Sequence, residues 1–422
     1  MTGKRFFCIA LIGLLMIGSL FARGSAESSG GREVELRWAS IWVGQDSKAP
    51  AVEALVREFN NSHAGRIRVV IDPQPDYNAY EQNVRTALAA GATPGDVFTI
   101  KLNPTTAQFY ESNLIMDFNT VLDSTWRNTF IAGPLEQSTL NRQLKSLPME
   151  TAILPIWYNM DALRSAGVNS IPRTIDEFYA ACDRLKAAGI APMSQMTGDT
   201  NAWTSMLWFS HLAVSLGGAN VWDRPFTDPA FVQAATIMKR LIADYSTPDA
   251  VGLGAGGSGG HFLAGRTAIF SNGPWYAGRQ DLRETPFFNS ITVEAAPYAG
   301  PTTNFMLSRL QANICAANPR DADRRDAIIT FLKFLTSPAS VKRIADTSGA
   351  MFAVKADYAP ELALQKQFYT LAEKYTLTSN DLEAALGAEV TLEFGQQLGA
   401  LVLGRVTPQE FCTLVNARIG RR

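Results

Sequence analysis

The chain has 422 residues, 38 Lys and Arg against 39 Asp and Glu, and 46% apolar residues. That is a globular composition, and at ~100–200 residues per domain it supplies two or three domains, so wholesale disorder is excluded. With net charge −1 there is no basic excess to neutralise a phosphate backbone, which excludes a general nucleic-acid binder.

The first residues read as a targeting segment. Lys4 and Arg5 precede an uncharged apolar run from Phe6 to Phe21, and the small residues Ala22, Gly24, Ser25 and Ala26 follow. This layout predicts a secretory signal peptide over 1–26, cut near 22–26, and a periplasmic mature protein. The run is shorter than the ~20 residues of a membrane-spanning helix. Cys8 opens the run and no cysteine stands at the cut, so a lipoprotein is not expected. Cys182, Cys315 and Cys412 have no metal-ligand or pairing pattern and are expected as buried free thiols.

Strand and helix patterns then alternate, the α/β signature. Val34–Trp42 alternates as a strand. In 49–60 the apolar positions Val52, Leu55, Val56 and Phe59 predict one face of a helix. Residues 66–72 and 96–101 read as strands around a helix over 77–90, and a short helix follows over 105–112. Ile153–Asn159 is expected as a strand that begins a second series. Its helix near 175 opens with Thr174 and Glu177 spaced as a capping box. Helical stretches over 200–216 and 229–245 follow, then a glycine-rich segment, 251–260, expected as a flexible loop. Residues 267–270, 291–297 and 311–316 read as strands and 323–335 as a helix. Helices are expected from 338 to the end. The fresh start near 153 implies two α/β lobes rather than one sheet, with a boundary near 148–152.

Catalytic motifs are weak. Gly252–Gly257 matches GxGxxG in letters but follows no strand, and no GK[ST] ends it. The three histidines, 63, 211 and 261, form no ligand set or triad. Tryptophans carry more information. Trp42, Trp203 and Trp275 fall near strand ends or loops, beside Asp46, Asn201 and Asn272. Ligands of open α/β sheets bind outside the carboxyl ends of strands. An indole there offers an apolar platform, and neighbouring Asp, Asn and Glu bond hydroxyls, which together suit a sugar. Trp126, Trp208 and Trp222 are expected in cores. In Gly273-Pro274-Trp275, glycine is expected to permit an unusual backbone angle and proline to set the next φ.

These segments resemble the extracellular solute-binding proteins of ABC importers, in the family that carries sugars. The resemblance rests on Ile41–Asp46, Pro94-Gly95-Asp96-Val97, Leu114–Phe118, Pro148-Met149-Glu150, Ile156–Asn159, Pro172–Phe178 and Phe262–Ile269 with Gly273-Pro274-Trp275. Their order and spacing span nearly the whole mature chain. The resemblance implies a two-lobed type II periplasmic binding protein, with lobe 1 over 32–148 plus 291–335 and lobe 2 over 152–288 plus 338–422. It implies a second hinge crossing near 288–291, Trp275 as the stacking aromatic, Glu150 as an acid at the hinge, and Asp46 as the acid after the first strand. Trp42, Lys101, Asn103, Trp203, Asn272 and Gly273 complete the expected ligand-binding set. Ile100 and Asn103 replace an aromatic and an acid common among sugar binders, and Phe394 stands near the position of a stacking Trp. Fewer platforms favour a smaller or different sugar than a long maltodextrin. No cofactor, metal or catalysis is implied. The expected partners are a small sugar and the transmembrane subunits of an ABC permease, with the protein a monomer. The alternatives are a secreted carbohydrate-active enzyme and a same-fold binder of a non-sugar solute such as a polyamine.

Overall fold

The computed structural model describes residues 33–199, 201–375 and 377–419. The expected signal peptide lies outside the described residues. Among them, no helix is long and apolar enough to cross a membrane.

Eleven strands are described: β1 (Val34–Ser40), β2 (Ile67–Pro73), β3 (Val97–Ile100), β4 (Leu147–Ile153), β5 (Ile156–Asn159), β6 (Ala191–Met193), β7 (Thr267–Ser271), β8 (Ile291–Glu294), β9 (Phe305–Ala316), β10 (Met351–Phe352) and β11 (Leu377–Ser379). They form two sheets. The larger has the order β10-β4-β9-β3-β1-β2, with β11 added on β9, and the smaller has the order β6-β7-β5-β8. β1 pairs in parallel with β2 and β3, and β6 with β7.

Period-two alternation buries both faces of each sheet. In the first, Leu36, Trp38 and Val97 enter one core, while Ala39, Phe98 and Cys315 enter another on the opposite face. In the second, Tyr158 and Ile269 point to one core, and Trp157 and Phe270 to the other. Such double coverage by helices is what βαβ crossovers produce. The helix Ala49–Ser62 buries Val52, Leu55, Val56 and Phe59, the face expected from the spacing. The helix Ile175–Ala187 opens with the Thr174–Glu177 capping box. Cys182, Cys315 and Cys412 are buried and unpaired. Trp126 and Trp208 are buried, as expected of core residues, whereas Trp222, expected with them, is only half-buried, its Nε1 donating to the Asn380 carbonyl.

The lobes are joined by a ribbon. β4 and β9 pair antiparallel from Leu147↔Ile314 to Ile153↔Ser308, with a register break around Glu150. Met149, Ala312 and Ile314 belong to the first core, whereas Ala152, Leu154, Phe305 and Leu307 belong to the second. The bulge lets Pro148, which has no N–H to give, sit inside a paired strand.

Four expectations differ from the structure. β8 still belongs to the second sheet, so the return crossing lies between 294 and 305 rather than near 288–291. The helix Pro338–Ser348 places Val341 and Ile344 in the first core, not with the second lobe, and the chain crosses again before the helix Ala363–Lys374, which packs on Trp157 and Phe270. Phe394 is a core residue packed on Phe209 and Phe411. The glycine-rich segment is a helix over Ala255–Leu263. Glycine disfavours helix by about 1 kcal/mol each, so a sequence reading ends the helix there. Ser258, Gly259 and Phe262 bury one face of it against the lobe.

Candidate functional site

The carboxyl ends of β1 and β7 face each other across the gap between the lobes. The loop after β1 brings Ile41, Gln45, Asp46 and Ser47, and the segment after β7 brings Asn272, Trp275, Tyr276 and Arg279. Trp203 and the glycine-rich helix close the second-lobe side of a cleft of about 620 Å³. Ligand pockets of proteins run ~300–1,000 Å³.

Trp203 and Trp275 are both half-buried. Their ring centroids are 6.2 Å apart at 37°. A ligand ring between two stacked planes needs ~7 Å, twice a van der Waals contact. The indoles therefore make one continuous aromatic wall, not a clamp. Lys101 Nζ lies 5.7 Å from the Trp203 ring and the Arg309 guanidinium 5.6 Å, which holds the ring by cation–π attraction. Trp275 is positioned by Gly273. A Cβ at 273 would stand 2.2 Å from the indole Cη2. Gly273 itself has φ −93° and ψ 177°, ordinary extended backbone. Its value is room for the ring, not an unusual backbone angle.

Two buried charge clusters back the cleft. In one, Lys48 Nζ lies 3.2 Å from Asp46 Oδ1 and 3.3 Å from Glu150 Oε1, with Lys48 and Glu150 almost fully buried. Burial alone would lower the Lys48 ammonium, but the Asp46 and Glu150 carboxylates carry it above its ordinary value. Burial holds Glu150 above the ordinary carboxylate range despite Lys48. In the other cluster, Arg309 Nη1 reaches Asp381 at 3.1 Å and Glu383 at 2.9 Å, and Lys101 reaches Glu383 at 3.4 Å. Burial would raise Glu383, but Lys101 and Arg309 pull it down to about 2. Burial pushes Asp381 up. Lys101 comes from the first lobe and Glu383 from the segment after the last crossing, so this pair ties the two sides together.

Of the expected residues, Asp46, Trp203, Asn272 and Trp275 line the cleft together. Gly273 lies beneath Trp275. Lys101 and Glu150 stand behind the lining in the ion clusters. Asn103 caps the helix Pro104–Ala107, its Oδ1 accepting from the Thr105 and Thr106 amides. Trp42 is overturned as a platform: it is fully buried, edge-on to Trp38 and Phe352. Asp96, within the Pro94–Val97 segment, is structural, pairing with Arg324 at 2.6 and 2.8 Å. Lys48, Arg309, Asp381 and Glu383 were missed. Arg309 carried a signal, since a lone Arg in the apolar run Phe305–Ala316 must find a partner when buried. Lys48 carried none.

Two doubly covered α/β lobes, a strand ribbon between them and an aromatic-walled cleft at the ribbon define a two-lobed solute-binding protein. The chain belongs to the bacterial extracellular solute-binding protein family, whose model matches residues 45–342. An uncharacterized ABC transporter extracellular-binding protein of Pyrococcus horikoshii is 21% identical over 264 residues, 59% of each chain. The arabinooligosaccharide-binding protein of Bacillus subtilis is 23% identical over 48% of this chain and 47% of its own. The chain thus spans about half to three-fifths of these curated relatives. Among solved structures, a chitin oligosaccharide binding protein superposes with TM-score 0.83 at 20% identity, covering 92% of this chain and 98% of its own. Maltose-bound MalE3 of T. maritima gives TM-score 0.77 at 19% identity, with 92% and 99% covered. The family and these relatives are binding proteins.

Proposed function

We propose that this protein is the exported, monomeric substrate-binding component of an ABC importer and captures a neutral sugar or oligosaccharide in the interlobe cleft. The observation that carries this reading is the Trp203–Trp275 wall facing the polar loop Gln45–Ser47. The wall takes the apolar face of a sugar ring, and Asp46, Asn272 and Gln45 take its hydroxyls. Several relatives named for oligosaccharides support it. Flexing of the β4–β9 ribbon closes the lobes on the ligand, and the closed form docks on the permease.

Catalysis is disfavoured by the lining. Among the described residues, Asp46 is the one carboxylate that lines the cleft, whereas glycoside hydrolysis uses two, roughly 5–9.5 Å apart. A single lining acid also disfavours a polyamine. The test is a thermal-shift and calorimetry screen of the mature protein against mono- and oligosaccharides, with putrescine and spermidine alongside. A sugar should raise the melting temperature, because it binds only the folded form, and should be recovered intact. A cleaved sugar, or stabilisation by the amines alone, overturns the reading.

A further inference from the structure

We infer that the bound sugar carries an acetamido group, that the bare glycine face of the helix Ala255–Leu263 makes room for it, and that the Tyr276 hydroxyl donates to its carbonyl oxygen. This rests on the sugar reading above and names the class of sugar. Four of the nine residues in that helix are glycine, and helix propensity opposes each of them. Ala255, Gly256, Gly259, Gly260 and Leu263 fall on one helical face, and that face lines the cleft. Packing accounts for Gly259, where a Cβ would stand 2.8 Å from the Tyr276 hydroxyl. It does not account for Gly256 and Gly260, where a Cβ would meet nothing within 4 Å. Bare backbone at those two positions serves the space of the cleft rather than the fold.

Tyr276 is the observation that points to a ligand. It lines the same cleft and is only 7% exposed. Its ring is held edge-on to Trp157 at 5.8 Å and tilted on Phe270 at 5.1 Å, with the Arg279 guanidinium 5.0 Å from its centroid. Among the described residues its hydroxyl makes no hydrogen bond. Burial pushes the phenol up to about 12, so it stays protonated and donates. A shielded donor without a partner costs free energy, which a ligand acceptor recovers. Its neighbours fix the chemistry of that acceptor. Asn272 spends its Oδ1 on the Gly273 amide, which leaves its Nδ2 to donate. The Trp275 indole and the Arg279 guanidinium donate only. The second-lobe wall therefore offers donors, while Gln45 and Asp46 on the opposite loop accept a ligand's amide N–H and hydroxyls. A sugar hydroxyl on the donor wall brings a proton that needs an acceptor of its own; a carbonyl brings lone pairs alone. The acetyl methyl finds an apolar seat on Ala255, Leu263 and the glycine backbone. A carboxylate would also use the donors, but Asp281 already neutralises Arg279 and Asp46 lines the same cleft, so the uncharged carbonyl fits better.

The test is calorimetry with sugars that differ only in that group: N,N′-diacetylchitobiose against cellobiose and N-acetyllactosamine against lactose, with maltose, xylobiose and digalacturonate alongside. In at least one pair the acetamido sugar should bind about tenfold more tightly, the scale of one hydrogen bond gained. Tyr276→Phe should erase most of that ratio. Because the hydroxyl bonds nothing in the described fold, the variant should melt within a few degrees of the wild type. Gly260→Leu improves helix propensity and sends its side chain into the space beside Tyr276, so it should fold and weaken the acetamido sugar more than its hydroxyl counterpart. Equal affinity within both pairs, a ratio untouched by Tyr276→Phe, or binding confined to maltose or xylobiose overturns the acetamido assignment and leaves the sugar reading standing. Tighter binding of digalacturonate than of either acetamido sugar also overturns it, by giving the donors to a carboxylate. Failure of every sugar to bind removes the sugar reading and this inference with it.

Discussion

The two lobes use the same residue type for opposite ends. The first lobe buries all its described tryptophans: Trp38 and Trp42 are fully buried and Trp126 nearly so. The second buries Trp157 and Trp208 but leaves Trp203 and Trp275 half-buried at the cleft, and Trp222 half-buried away from it. What decides is the element lying over each ring. Trp38 meets Phe331 of the helix Ala322–Leu335, and Trp42 meets Phe352 of β10. Trp275 instead packs over a glycine and against Trp203. One wall of the cleft is therefore a polar loop on a rigid aromatic core, and the other is an aromatic surface.

The most forceful way to break this contrast is Trp42→Ala. If the ring is core, its loss should cost about 3–5 kcal/mol of stability, as large-to-small changes do, while affinity per folded molecule stays near wild type. Denaturant unfolding with calorimetry on the folded fraction separates the two. A wild-type unfolding midpoint with lost sugar affinity would restore Trp42 as a platform.

Acid offers a second probe, of the tie between the walls. Glu383 is held at about 2, well below an ordinary carboxylate. A depressed pKa stabilises the fold above the unfolded value and is lost as pH falls from about 4.5 toward 2. By linkage the contribution is roughly 3 kcal/mol. Asp381, raised by burial, acts with the opposite sign and returns part of it. Wild type should therefore lose stability in that window, and Glu383→Gln should start lower and show a shallower acid slope. Parallel slopes in the two proteins would show that Glu383 does not carry the acid loss.

The third probe lies in the cleft. Trp275→Ala should weaken sugar binding by about 5- to 150-fold, corresponding to ~1–3 kcal/mol for covering one apolar ring face. The melting temperature should fall less than in Trp42→Ala, since the Trp275 ring is only half-buried. A large melting loss with unchanged affinity in the folded fraction would assign the ring to the core.

The elements most legible in the sequence were those whose signal is local. The helix Ala49–Ser62 follows from four apolar positions, and the start at Ile175 follows from Thr174 and Glu177. The placement of Asp46, Trp203, Asn272 and Trp275 on one cleft followed from strand ends and family-like segments. What failed depends on contacts distant in sequence. Trp42 sits at a strand end like Trp275, and it is core because Phe352, some 300 residues away, closes over it beside Trp38. Lys48 is a surface-type residue until β4, about 100 residues on, brings Glu150 against it. The glycine helix is written against its own propensity and is anchored to the lobe along one face, by Ser258, Gly259 and Phe262. The first half of β9 was missed because Ser308 and Arg309 interrupt the apolar pattern, and they do so where the strand leaves one core for the other.

The smallest expected effect gives the finest test of the aromatic wall. Alanine tolerates φ −93° and ψ 177°, so Gly273→Ala imposes no backbone strain. Its methyl would fall 2.2 Å from Cη2 and 2.3 Å from Cζ3 of Trp275, closer than atoms can approach, so the indole must swing away. The variant should fold with little change in melting temperature yet lose about 3- to 10-fold in sugar affinity, ~0.7–1.4 kcal/mol. Gly133→Ala, in the helix Ala132–Gln137 away from the cleft, is the control, since a Cβ there meets nothing within 4 Å. If Gly273 acts only by seating Trp275, the two substitutions share one mechanism and cannot add. Gly273→Ala in a Trp275→Ala background should then change affinity no further. A full additional loss in the double variant would mean that Gly273 contacts the ligand itself, and the wall would have to be redrawn around the backbone at the end of β7.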